Sequence, residues 1–460
     1  MAGLTFLLER HYRQPGLSRA FCREGVEAFE AVGPWFLTVL CLMVMGVTVH
    51  LTTSEAPVLF YLSLTYATAI SLILSSPLHT MLNRFMADKI YLAEYQPILN
   101  GLISLTLCIV AASLGISSII VFSVSTIPLN EKIGFVSLTT LLSLFWSISS
   151  FLSSLQKERI LLVLFSAGIA VTLGLFLFTD ATRMIDMTLI FCVGITVPIA
   201  GGYAYILKLY LRDRIRIEWH FLKREDAVKI GLSIFFFYLG FWIDKIVFWF
   251  SKEAKADYDP LFHYFPEYDF PFFIALTIMM IGSVLVYRGV KRRINQPYKA
   301  FIFKLTNNFP FREIALEKFR LVDGISQVSS SILLIYGGIV VFILFILYLK
   351  VFPLPWANPF IFYYLLVGTI FFSLYFFYFL ILQYLDEYTL LIRLNLLFLI
   401  LNFCGSWLSI RAGAQYHGMG FMAASMVSAL VAFVLVNTKI GGLEYHVFIN
   451  ALRQSRETSS

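Results

Sequence analysis

Charge is scarce in this sequence. Asp, Glu, Lys and Arg supply 14% of its 460 residues, against about 25% in an ordinary globular domain, which is too little polar surface to clothe a soluble body of this length. Cysteine is also sparse: Cys41, Cys108, Cys192 and Cys404 fall inside apolar runs and Cys22 precedes them, with no spacing for a disulfide framework or a metal. No GxxxxGK[ST] segment is present, which excludes hydrolysis of nucleoside triphosphates, and HExxH, paired CxxC and GxSxG are absent as well. His11, His50, His79, His220, His263, His417 and His446 are dispersed, none at metal-ligand spacing from another, and read as structural or interfacial. An enzyme would have no visible chemistry here, and neither metal nor cofactor is expected. The first apolar run begins near residue 31 without a small-residue cleavage pattern, so no removable signal peptide is expected.

What fills the chain instead is hydrocarbon. Hydrophobic residues make up 59% and aromatic residues 17%, with 46 Phe, and the mean hydropathy is +0.80. Apolar runs of spanning length recur to the end, so the chain reads as an all-α integral membrane protein with no room for a separate soluble domain. Twelve spans are expected: 31–51, 58–82, 98–123, 133–155, 160–179, 187–211, 227–250, 271–289, 330–350, 359–384, 391–410 and 418–438. Pro57, Pro97, Pro128, Pro271 and Pro359 fall at span edges or in connections, whereas Pro77 and Pro198 lie inside spans and should kink them.

The few cations are unevenly placed. Alternate connections beginning with the amino terminus hold about 24 Lys and Arg, the opposite set about 5. Both termini should therefore be cytoplasmic, as an even span count requires. The net charge of +7 thus reports topology and an anionic bilayer surface, and no nucleic-acid partner is expected. The organisation that follows is a cytoplasmic amphipathic segment 1–30, an amino-terminal lobe 31–211, an inter-lobe linker 212–226 containing Trp219, a carboxy-terminal lobe 227–438 and a tail 439–460. The connection 290–329 is basic, and its part FREIALEKFRLVDGISQV has helical apolar spacing; it either lies on lipid headgroups or docks a cytosolic partner. On the outer side, 251–270 carries Glu253, Asp257, Asp259, Glu267 and Asp269 among aromatic residues, and reads as solvated surface charge.

One span breaks the rule of apolarity. Within 227–250, Asp244 and Lys245 stand side by side, each costing roughly 2.5–3.5 kcal/mol to place at the centre of a bilayer. Consecutive helical residues point about 100° apart, so one is expected to face a cavity and the other a neighbouring helix. A bystander reading is also open, in which Lys245 snorkels outward past Trp249 and Asp244 pairs elsewhere. After span two, Arg84 and Asp88 are four apart and suited to pair on a continuing helix, with Tyr91 and Tyr95 near for sugar stacking; a plain surface ion pair fits equally.

MAGLTFLLER at the start, Gly33, Pro34 and Trp35, NRFMADKIY at 83–91 and GFWIDKIVFWF at 240–250 together resemble the PelG family of Pel exopolysaccharide transporters. The resemblance runs through roughly the first 290 residues, and no family motif aligns beyond them. It implies the polysaccharide-flippase, or MOP, superfamily: a bacterial inner-membrane bundle of about twelve helices in two six-helix lobes around a central cavity. It also implies export of a polymer rich in N-acetylgalactosamine and partly de-N-acetylated, beside a cytosolic glycosyltransferase and membrane Pel-type subunits. The positions it singles out are Gly33, Pro34, Trp35, Arg84, Ala87, Asp88, Tyr91, Trp242, Asp244, Lys245 and Trp249. From these the expected substrate path is Trp35, Arg84, Asp88, Tyr91, Trp242, Asp244 and Lys245, with Pro77, Pro198 and Trp219 as hinge or kink points. The cargo is then a polysaccharide or a lipid-linked saccharide. A cation-coupled exporter of the same superfamily is the rival transporter, and a polymerase acting on lipid-linked sugars the rival enzyme; the first lacks acidic residues within spans one to six, the second any recognisable arrangement of outer carboxylates. Orientation is directly measurable: Cys22 and the tail after Arg453 should label only from the cytoplasm, and a cysteine at Asp259 only from outside.

Overall fold

The computed structural model describes residues 56–443 apart from 92–93, 95, 180–182, 212–213, 215, 224, 308 and 351–357, together with positions 25, 33, 37–43 and 45. Its helices are α1 (Ala56–Tyr91), α2 (Gln96–Val124), α3 (Leu129–Ser154), α4 (Glu158–Phe178), α5 (Met184–Tyr210), α6 (His220–Lys223), α7 (Glu225–Trp249), α8 (Pro266–Gly289), α9 (Asn295–Thr306), α10 (Phe311–Ser331), α11 (Gly337–Tyr348), α12 (Pro359–Tyr384), α13 (Tyr388–Ala412) and α14 (Met419–Gly441). Eleven helical stretches among the described residues are long and apolar enough to span a bilayer, and they coincide with eleven of the twelve expected spans. The remaining one, 31–51, lies mostly outside the described residues. The only β-type pairing among them is an isolated antiparallel bridge between Lys255 and Tyr264.

Helix formation follows from the solvent: in hydrocarbon every backbone N–H and C=O must be satisfied within the segment, and only a helix does this strand by strand. The same demand disposes of the many hydroxyls. On α1, Thr65, Thr68, Ser75 and Thr80 each donate to the carbonyl four residues back, and on α3 so do Thr139, Thr140, Ser143 and Ser147. Both expected proline positions are inside continuous helices, Pro77 in α1 and Pro198 in α5. Pro271 also lies inside a helix, because α8 begins at Pro266 and not at the span edge anticipated from hydropathy.

The chain forms two compact units. The first comprises residues up to Tyr238 and the segment Lys252–Phe265; the second comprises Leu239–Ser251 and everything from Pro266. The division thus falls within α7, whereas the sequence placed the linker at 212–226. In the first unit α3 packs against α1, α2 and α5, and α4 against α5; α3 buries Phe135, Leu138, Phe145, Ile148, Phe151 and Leu152. The segment around Trp219 is held to the first unit through Asn100, whose Nδ2 donates to Glu218 Oε1 at 2.8 Å while its Oδ1 accepts from Arg216 N at 3.1 Å.

In the second unit α14 packs against α12 and α13, and α8 against α12. α8 continues through a π turn, Val290–Ile294, into α9, and α10 through another, Ile332–Tyr336, into α11. The resulting stretches of 41 and 38 residues measure about 60 and 57 Å at 1.5 Å per residue, roughly twice the hydrocarbon thickness. The excess is the connection 290–329, an ordered helical hairpin closed by Lys304 Nζ on Glu317 at 3.1 Å and Glu313 at 3.3 Å, with Arg320 Nη1 on Glu317 at 2.9 Å.

α13 and α14 meet backbone to backbone. A Cβ on Gly420 would stand 2.3 Å from Ser406 N and 2.5 Å from the Gly405 carbonyl carbon, contacts that no rotamer change relieves. Gly420→Leu should cost about 3 kcal/mol or more, seen as a lower unfolding midpoint in detergent, while Gly115→Ala, with open space around it, should leave the midpoint unchanged.

Candidate functional site

The second half of α7 carries the charges that the sequence singled out. Asp244 is fully buried and Lys245 is 4% exposed. Their directions differ, as helix geometry requires, yet the two do not go to separate surroundings as expected: Lys245 Nζ turns back to Asp244 Oδ1 at 3.0 Å. Four methylenes give the ammonium enough reach to undo the 100° separation of the backbone. Its second acceptor is the Phe241 carbonyl at 3.1 Å, and three rings surround it, Phe272 at 3.3 Å, Phe241 at 4.9 Å and Trp242 at 5.3 Å from nitrogen to centroid. Ring faces carry negative charge, so this is a cation site in apolar surroundings. Snorkelling toward the interface is thereby corrected as well.

The other carboxylate oxygen is closed from α8. Tyr268 Oη donates to Asp244 Oδ2 at 2.6 Å, and its ring stacks on Phe248 at 4.0 Å between centroids. Phe248 in turn meets His417 edge-on at 5.0 Å. One turn further along, Trp249 Nε1 donates to both oxygens of Asp269 at 3.0 and 3.1 Å. α13 holds the start of this segment, with Asn402 Nδ2 on the Gly240 carbonyl at 2.9 Å. Tyr268 and Phe272 were not anticipated. Their signal was the run EYDFPFF at 267–273, which hydropathy divided between a loop and a span.

The connection 251–270 is only in part the solvated charge that its composition suggested: Glu253, Asp257 and Glu267 are exposed, but one carboxylate is not. Asp259 is 2% exposed. Its Oδ2 accepts from Ser125 Oγ at 3.1 Å, Thr126 N at 2.7 Å and Thr126 Oγ1 at 3.0 Å, and its Oδ1 from Leu261 N at 2.9 Å. Tyr66 Oη donates to the His263 carbonyl at 2.9 Å, and the buried ring of Phe262 meets Tyr66 and Phe135 edge-on. The segment 252–265 is therefore fastened into the first unit by a desolvated carboxylate with four donors. Desolvation and the hydrogen bond to Asp257 push the Tyr264 phenol up to about 12, and its Oη donates to Asp257 Oδ2 at 2.9 Å. A cysteine at position 259 would break the fastening; the exposed Ala256 is the sound place for a topology probe.

The remaining expected path residues are placed only in part. Arg84 is half-buried on α1 of the first unit, next to Asn83, whose Nδ2 donates to Ser150 Oγ at 2.7 Å. Asp88 and Tyr91 are on the same helix, but their side chains lie outside the described set, as do Trp35, Pro34 and Tyr95 altogether. The expected Arg84–Asp88 pairing falls there too. Trp219 is exposed just before α6. Trp242, Asp244 and Lys245 are thus the residues brought together, and the indole N–H of the buried Trp242 has no acceptor among the described residues. No group of three or more His, Cys, Asp or Glu suited to a metal occurs among the described residues.

Solved structures of MOP-superfamily transporters share this all-helical, multi-pass fold. One, crystallised as MATE in complex with MaL6, superposes with a TM-score of 0.62 at 13% identity, covering 91% of this chain and 96% of the other. An outward-facing multidrug resistance MATE family transporter of the MOP superfamily gives 0.58 at 13%, covering 95% and 98%. A MOP superfamily transporter from Pyrococcus furiosus, described as having a binding pocket of reverse polarity, gives 0.58 at 11%, covering 93% and 96%. No curated protein matches the sequence. The family model PelG, "Putative exopolysaccharide Exporter (EPS-E)", matches residues 1–448, and the chain belongs to that family. The match continues well past residue 290, where the visible motifs ended; the carboxy-terminal spans carry family likeness without any short signature.

The buried pair yields a stability test. Asp244→Asn leaves the Lys245 ammonium without its counter-charge and should cost about 3–5 kcal/mol, read as a lower unfolding midpoint of the purified protein. Joining it to Lys245→Met should recover most of that loss. A single variant as stable as the parent would show that the two groups are not held as an ion pair.

Proposed function

We propose that this protein exports a Pel-type exopolysaccharide, rich in N-acetylgalactosamine and partly de-N-acetylated, across the bacterial cytoplasmic membrane. The observation that carries this reading is the family match over residues 1–448 of the 460. Both termini are cytoplasmic in this reading, following the excess of Lys and Arg in their set of connections. Transport proceeds by alternating access of two six-helix lobes, and a cytosolic glycosyltransferase and membrane Pel-type subunits deliver the polymer. The path runs past Trp35, Arg84, Asp88, Tyr91, Trp242, Asp244 and Lys245, with flexing at Pro77, Pro198 and Trp219.

Within this path Trp242 supplies the group most readily tested. Aromatic faces stack on sugar rings and an indole N–H donates to a hydroxyl. Asp244, already sharing its charge with Lys245 and Tyr268, becomes an acceptor for a cationic polymer only if that cluster opens during the cycle. Deletion of the chain should remove the polymer from the cell surface, and reintroduction should restore it; surface polymer at parental levels in the deletion strain would reject the export reading. Trp242→Phe keeps a ring beside Lys245 and removes the N–H, so export normalised to membrane abundance should fall about 3–10-fold, the size of one hydrogen bond. Unchanged export would take Trp242 off the path.

A further inference from the structure

In the second unit a pocket of about 220 Å³ lies where α8 turns through its π segment beside α10, lined by Arg288, Arg292, Arg293 and Ser331 on one part and Leu285 and Ile335 on another. The π turn Val290–Ile294 is what gathers the cations. On an uninterrupted α-helix Arg292 would lie about 40° from Arg288 and Arg293 about 140° away, on another face. A π turn takes more residues per revolution, so it draws Arg293 back toward the side of Arg288. The second π turn, Ile332–Tyr336, starts immediately after Ser331 and contributes Ile335. Two such turns facing one pocket are a costly local geometry of the kind that accompanies functional sites.

The walls of the pocket are rigid. A Cβ on Gly289 would stand 2.5 Å from Val328 Cγ2, and one on Gly324 2.5 Å from the Arg293 carbonyl oxygen. The helices therefore touch along a line of small residues, and the arginine-bearing backbone is fixed against α10. Three guanidinium groups make a donor set matched to a tetrahedral oxyanion, because each fork presents parallel N–H bonds to two oxygens; the Ser331 hydroxyl donates instead to the Gln327 carbonyl at 2.7 Å. The rest of the lining includes the apolar Leu285, Val328 and Ile335, and Leu333 and Leu334, next to Ile335 in sequence, are exposed, as the site of an amphiphile requires.

We propose that this pocket binds a phosphate group, presented by an anionic lipid headgroup or by a soluble phosphate compound. The binding is independent of which polymer the protein exports. The test uses the full-length protein in detergent, titrated in separate arms with short-chain phosphatidylglycerol, with phosphatidylcholine as the zwitterionic control, and with inorganic pyrophosphate. Bound lipid is read by native mass spectrometry, and both ligands by the shift of the unfolding midpoint. Phosphatidylglycerol or pyrophosphate should bind, and Arg292→Gln with Arg293→Gln, both exposed side chains, should weaken binding about tenfold or more while the ligand-free midpoint stays at the parental value. Lys299→Gln, an exposed cation on α9 outside the pocket, should change nothing. Saturation by the lipid without competition from pyrophosphate identifies the headgroup as the source, and the reverse identifies a soluble phosphate. Parental affinity in the folded double variant, or an equal loss in Lys299→Gln, would overturn the proposal.

Discussion

A polar group in hydrocarbon that finds no partner inside the protein finds none at all, and its cost is several kcal/mol. This constraint accounts for much of the structure. It puts the backbone into helices, folds the hydroxyls of α1 and α3 onto their own preceding turns, and brings Lys245 round to Asp244 with Tyr268 closing the second oxygen. A transporter still has to offer polar groups to its cargo. On α7 the first demand is met by a charge pair and an aromatic cage, neutral as a set and within one unit, with the ammonium and both carboxylate oxygens engaged.

The spans were legible because hydropathy over twenty residues averages out local detail, and eleven of them emerge, though those expected at 271–289 and 330–350 lie within helical stretches of 41 and 38 residues. The helical character of 311–328 was legible for a similar reason, in its apolar spacing. What escaped the sequence depends on partners far away along the chain. Nothing near Asp259 announces that Ser125 and Thr126 will supply its donors, so its composition resembled an exposed acidic loop. Asp244 and Lys245 were correctly marked as anomalous, but their mutual pairing was hidden because backbone periodicity says nothing of where a long flexible side chain ends. The π turns left no trace either, since an inserted residue changes neither composition nor mean hydropathy.

Likeness of fold and identity of cargo are separate matters here. At 11–13% identity the solved MOP transporters share the path of the backbone, and one fold supports many specificities through the residues grafted upon it. The family assignment rests instead on the sequence, over nearly its whole length.

The fastening of residues 252–265 into the first unit has a consequence for biogenesis. Chains emerge amino terminus first, at about 5–20 residues per second, and the first unit is complete only when Phe265 has emerged. By then Leu239–Ser251, which belong to the second unit, have already been synthesised and must wait in the bilayer with Asp244 and Lys245 for Tyr268 to arrive. Synthesis of the second unit therefore begins before the first is complete. A chain severed in the 212–226 connection would leave the second unit whole in the late fragment but divide the first: the early fragment would lack the acidic clasp for Ser125 and Thr126, and the late one would carry that clasp with nothing of its own to close upon.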